Sequence, residues 1–60
     1  MSCFIKLPDG AYVWKINRGL YYTAPAKDKR FCALSKEKAK RYSNRLFDMG
    51  VKHSLIVEMA

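Results

Sequence analysis

The run LSKEKAKRYSNRLFDMGV, Leu34 to Val51, constrains the fold more than any other stretch of this sequence. Ser35 is a good N-cap, because its side-chain oxygen can accept one of the backbone N–H groups that a helix start leaves unsatisfied. Glu37 follows in the first turn, near the positive end of the helix dipole. Gly50 supplies the stop, since the residue just past a helix commonly turns left-handed. The spacing predicts a helix from about Lys36 to Met49. At about 100° per residue, Ala39, Tyr42, Leu46 and Met49 gather on one side, flanked by Ser43 and Phe47. Lys38, Arg41 and Arg45 share a neighbouring arc, and Lys36 and Lys40 lie on the far flank. Such a helix has an apolar face that needs a sheet to cover it. Its charge is segregated: only Glu37–Arg41 is a favourable i,i+4 pair.

The rest of the chain supplies the sheet. SCFIKL alternates, with Cys3, Ile5 and Leu7 on one side and Phe4 and Lys6 on the other. PDG follows, with Pro8 suited to the first central turn position. In AYVWKI, strict alternation puts Tyr12, Trp14 and Ile16 on one face and Ala11, Val13 and Lys15 on the other. NRG reads as a three-residue loop ending in Gly19, a hairpin with a bulge. LYYTA returns as a third strand, and its alternation sets Tyr21 and Tyr22 on opposite faces. Residues 2–24 therefore read as a three-stranded meander. PAKDK is a basic loop, and RFCAL is either an edge strand or the lead-in to the helix. VKHSLIVEM closes the chain as a strand, with Leu55 and Val57 on one face and Ile56 on the other. The expected fold is α+β: a small antiparallel sheet, the N-terminal meander plus a C-terminal strand, with one helix (about 36–49) packed on one face. Residues 1–60 form a single domain.

A chain of 60 residues buries only about 60% of the surface its unfolded form exposes, so its core is small. Two cysteines, Cys3 and Cys32, allow at most one bridge. The N-terminus MSCFIKLPDG has no basic flank and no long apolar run, and nothing in the chain is apolar enough to span a membrane. Cytoplasmic location with both thiols reduced is the expectation. The single histidine, His53, reads as an exposed strand residue, and no cysteine pair has zinc-ligand spacing. No metal or cofactor is expected. The carboxylates Asp9, Asp28, Glu37, Asp48 and Glu58 are scattered, and there is no nucleophile elbow and no glycine-rich phosphate loop. The sequence thus points away from an enzyme and from a small-molecule substrate.

Charge narrows the partners. Twelve Lys and Arg against five Asp and Glu give +7, a strong bias for this length. Candidate contacts to nucleic acid, DNA or RNA, or to an acidic partner are Lys38, Arg41 and Arg45 on the helix, Lys27, Lys29 and Arg30 in the loop, and Arg18 at the hairpin tip. Tyr21, Tyr22 and Phe47 are candidates for stacking on bases or for an interface.

Two resemblances bear on function. The segment KRFCALSKEKAKRYSNRLFDMG, behind the aromatic hairpin YVWKINRGLYY, resembles small phage and prophage accessory proteins of unknown function. The residues that carry it are Tyr12, Ile16, Gly19, Tyr21, Phe31, Ser35, Ala39, Leu46 and Gly50. The same run is similar to the arm-type DNA-binding domain of phage-like tyrosine recombinases, a three-stranded sheet with one packed helix. That resemblance implies DNA contact through the sheet. The chain departs from it in the closing strand SLIVEM and in having no recombinase catalytic domain. The leading expectation is a nucleic-acid-binding accessory or regulatory protein of phage type. The alternative is a phage-type inhibitor or modulator of a host enzyme or defence complex, using Phe4, Val13, one of Tyr21 and Tyr22, and Phe47 as an apolar patch, and able to act as a homodimer.

Overall fold

The structure is a computed structural model that describes residues 2–25 and 29–58, the side chains of Lys29 and Arg30 excepted. Its elements run β1 (Ser2–Lys6), β2 (Tyr12–Asn17), β3 (Leu20–Ala24), α1 (Lys29–Cys32), α2 (Lys36–Asp48) and β4 (Ser54–Glu58). The four strands form one antiparallel sheet in the order β3-β2-β1-β4. The meander, the closing strand and the long helix fall where the sequence places them.

Two hairpin turns set the meander. At the first, Gly10 N–H donates to the Leu7 carbonyl (2.9 Å) and Leu7 N–H to the Ala11 carbonyl (2.8 Å). The Asp9 carboxylate accepts from Ala11 N–H at 2.9 Å, which fixes the corner after Pro8. The second turn is tighter than NRG suggested. Asn17 pairs directly with Leu20, so the loop is two residues, Arg18 and Gly19. Both have positive φ, 51° and 76°. Two left-handed residues in succession match the twist of the flanking strands, and here one of them is an arginine.

Strict alternation fails in β2. Val13 faces Thr23, but the next pair is Lys15 with Tyr22, leaving Trp14 as an extra residue in a bulge. A bulge reverses the phase of everything after it. Tyr12 and Trp14 therefore stay on one face, whereas Ile16 crosses to join Val13 on the other.

The main core lies between the sheet and α2. It contains Cys3, Ile5, Leu7, Val13, Leu34, Ala39 and Leu46, with Ile16, Tyr42 and Val51 packed at its margin. Met49, expected in that core, is half-buried as the C-cap. Both helix ends are satisfied. Ser35 Oγ accepts from Lys38 N–H at 3.2 Å. At the other end Gly50 N–H donates to the Phe47 carbonyl (3.0 Å) and Val51 N–H to the Leu46 carbonyl (2.9 Å). These crossed bonds need Gly50 left-handed, and its φ is 75°.

The second sheet face is covered as well, by a piece of chain that gave no helical signal. RFCAL is neither a full strand nor a simple lead-in. Lys29–Cys32 makes one helical turn, and Leu34 then bridges Cys3 through reciprocal backbone bonds of 3.0 and 2.8 Å. The turn seats Cys32 against Phe4 and Tyr12 and sets the Phe31 ring 4.5 Å from Trp14. Phe4 and Tyr12 meet edge-on at 5.9 Å. Phe4 and Val13, expected in an exposed patch, are buried instead: Phe4 lies beneath α1, and Val13 beneath α2 because it pairs across the ladder with Ile5 on that face. Cys3 and Cys32 are both buried thiols, on opposite faces of the sheet.

Candidate nucleic-acid interface

One side of α2 forms a groove with the β2–β3 hairpin. Its lining is Ile16, Arg41, Tyr42 and Arg45. Each member is there for a local reason. The Trp14 bulge turns Ile16 toward the helix. Tyr42 follows Ala39 by three residues and precedes Leu46 by four, so it leans over the core edge with its ring half-buried. Arg41 and Arg45 stand one turn apart on the next arc, both exposed. Tyr21 lies directly across the ladder from Ile16, on the same sheet face, and is 39% exposed. The floor of the groove is thus apolar and aromatic, and its rim carries two guanidiniums.

The arc Lys38, Arg41 and Arg45 is brought together as expected, with a division of labour. The Lys38 ammonium lies 5.7 Å from the centre of the Tyr42 ring, a cation–π contact. Arg41 and Arg45 line the groove itself. Among the described residues neither closes an ion pair, and the Glu37–Arg41 pair expected from the spacing is not formed. Exposed pairs of this kind contribute only a few tenths of a kcal/mol, so little is lost when the pair stays open. Arg18 sits at the tip of the hairpin that carries Ile16 and Tyr21. Lys27 lies outside the described residues, as do the side chains of Lys29 and Arg30.

The three candidate aromatics do not share a surface. Tyr21 belongs to the groove. Tyr22 is on the opposite face, 5.8 Å from Trp14 in a tilted pair. Phe47 is on the far flank of α2, 79% exposed, beside Gly50, Val51, Lys52 and His53.

His53 departs most from its expected place. It is half-buried, and its Nδ1 lies 2.9 Å from the Val51 carbonyl while its Nε2 lies 2.7 Å from Ser43 Oγ. A carbonyl only accepts, so Nδ1 donates to it, and Nε2 shares the second hydrogen bond with the Ser43 hydroxyl. Nucleophile, base and orienting group are in sequence here, as in a hydrolytic dyad. The backbone N–H groups of Gly50 and Val51 are engaged in the helix end. The contact ties α2 to the entry of β4. Sequence reasoning missed it because Ser43 and His53 are ten residues apart and meet only through the reversal at Gly50.

Two further features lie outside the motifs. Lys6 and Lys52 converge with Ser54 in a second groove at the start of β4, together with Leu7, Pro8 and His53. Among the described residues, no three His, Cys, Asp or Glu side chains cluster to hold a metal, and no helix is long and apolar enough to cross a membrane.

Comparison with protein-family models, with curated proteins and with solved structures yields no match to this chain.

Proposed function

We propose that this chain is a small non-enzymatic nucleic-acid-binding protein, an accessory or regulatory protein of phage type. The observation that carries the reading is the groove: Arg41 and Arg45 on its rim, Tyr42 and Ile16 beneath them, and Tyr21 across the ladder. Guanidiniums bind phosphate oxygens in a bidentate fork. Aromatic rings beside them offer a stacking surface to an unpaired base. Lys38 and Arg18 extend the same positive side along the helix and to the hairpin tip. Phosphate contacts of this kind give affinity with little sequence choice.

Fluorescence anisotropy with single- and double-stranded DNA and RNA across a salt series tests the reading. The expected result is a dissociation constant of about 1–100 μM near physiological salt, the range of non-specific binders. Arg41→Ala/Arg45→Ala should bind about tenfold or more weakly and flatten the salt dependence by about two phosphates' worth. Equal affinity in the double variant, with its circular dichroism unchanged, removes the groove from the proposal. Absence of binding to every nucleic acid removes the function.

A second reading has its own observation, the 79% exposure of Phe47. An apolar ring standing free on a helix flank suits a protein partner. In that reading the chain modulates a host enzyme or defence complex. A pull-down from nuclease-treated bacterial lysate, comparing wild type with Phe47→Ser, separates the two: a partner lost on substitution favours it, and equal recovery counts against it.

A further inference from the structure

We infer that two copies of this chain join edge to edge through β4, antiparallel about a twofold axis at Ile56, to make one eight-stranded sheet. The argument starts from the backbone. Cys3 gives its N–H and its carbonyl to Leu34, on the side of β1 away from β4. Its β4 partner, Val57, is therefore in a non-hydrogen-bonded pair, and the bonded pairs are its neighbours Ser2–Glu58 and Phe4–Ile56. Ser54, Ile56 and Glu58 turn their polar backbone groups to β1. Leu55 and Val57 turn theirs to the open edge.

Those same two residues point their side chains to the α2 face and remain 48% and 51% exposed. The edge thus offers backbone donors, acceptors and apolar side chains together. Between Ser54 and Glu58 it has no proline, no lysine and no bulge, the devices that most directly block strand addition.

Self-complementarity selects a second copy as the occupant. Antiparallel pairing centred on Ile56 sets Leu55 opposite Val57 of the second copy, twice, in bonded pairs that form four backbone hydrogen bonds. Ile56 meets its own copy on the other face. Glu58 arrives opposite Ser54, which lines a groove with Lys6 and Lys52. The one acidic residue of the strand therefore meets two ammoniums, and the twofold repeats the match. A carboxylate has about four lone-pair sites and can take these donors alongside contacts within its own chain. The opposite edge lacks this match: β3 carries no charged residue to set against a basic groove. A twofold perpendicular to the sheet also leaves both α2 helices on one face. The two Arg41/Arg45 grooves then open on the same side, at least five strand spacings, roughly 24 Å, apart.

Sedimentation equilibrium without nucleic acid tests the dimer, over protein concentrations from about 10 μM to 1 mM. Wild type should shift from monomer to dimer mass. Val57→Pro removes an N–H that β1 does not use, a change edge strands tolerate. Leu55→Lys leaves the backbone intact and puts a charge in the interface. Both variants should keep the wild-type circular dichroism and dimerise about tenfold or more weakly. Ile56→Cys tests the register, since residues facing each other across a non-bonded pair are about 4.5 Å apart at Cα, within disulfide reach. The native Cys3 and Cys32 are 1% and 0% exposed and do not compete. Monomer mass throughout for the wild type overturns the dimer. So does wild-type association in both folded variants. Cross-linking through Leu55→Cys but not Ile56→Cys overturns the register.

Discussion

Ser43 Oγ lies 2.7 Å from His53 Nε2, and this bond ties the middle of α2 to the entry of β4. Between them the chain reverses at Gly50, and the ring's other nitrogen is held by the Val51 carbonyl at 2.9 Å. The reversal is thus braced by a side chain that touches both the helix and the turn. Half-buried hydrogen bonds of this type contribute about 0.5–1.5 kcal/mol each. Ser43→Ala should lose about 1 kcal/mol in urea unfolding, and His53→Ala somewhat more because it loses two bonds. The two changes act on one contact, so the double variant should cost less than the sum of the singles, by about 0.5 kcal/mol or more. Strict additivity in that cycle would show the bond to be incidental.

Gly50 can be tested apart from any packing. An added Cβ there meets nothing within 4 Å, while φ is 75°. The whole effect of Gly50→Ala should be backbone strain, about 1–2 kcal/mol for an alanine held left-handed. Gly50→Asn should cost less, because asparagine tolerates that conformation. Urea midpoints for the three proteins, at constant m-value, give the order Gly, Asn, Ala. Equal midpoints for Asn and Ala would refute the strain account.

These two sites also mark where the sequence is readable and where it is not. The helix ends are local, so Ser35 and Gly50 announce them, and the pairing of Leu55 and Val57 on one face follows from alternation alone. The bulge at Trp14 is not local. It depends on how β2 meets β3, and it moves Ile16 to the face opposite the one that alternation assigns. The single turn α1 is shorter than any periodic pattern can reveal, yet it decides that Phe4 and Tyr12 are buried. The candidate groove inherits both kinds of information. The Arg41/Arg45 arc is written in helical spacing, whereas its floor at Ile16 exists only because of the bulge.

Arg18 offers a stabilising change. It is non-glycine at φ 51°, the first residue of a two-residue turn whose second is Gly19. That turn type favours Asn-Gly, because asparagine enters the left-handed region at lower cost than arginine. Arg18→Asn should gain about 0.5–1 kcal/mol, which for a chain of this size raises the melting temperature by several degrees. Differential scanning calorimetry reads it directly. If Arg18 also contacts phosphate, the same variant should bind nucleic acid more weakly while melting higher, and that opposite pair of signs separates function from fold at one residue.

Leu46 and Phe47 are neighbours in sequence and opposites in consequence. Leu46 is 0% exposed against the sheet, while Phe47 is 79% exposed on the helix flank. Helical geometry turns consecutive side chains about 100° apart, which is enough to carry one into the core and leave the next in water. Leu46→Ala removes buried methyl groups and leaves a cavity, at a cost of about 2–5 kcal/mol. Typical stability per residue gives a chain of this length only about 3–9 kcal/mol in total. Leu46→Ala should therefore be largely unfolded at room temperature or close to it, seen as loss of the helical circular dichroism signal. Phe47→Ala should change stability by no more than about 0.5 kcal/mol, as exposed substitutions do. A Phe47→Ala loss comparable to that of Leu46→Ala would mean that Phe47 is covered in solution, by a second copy or by another part of the chain.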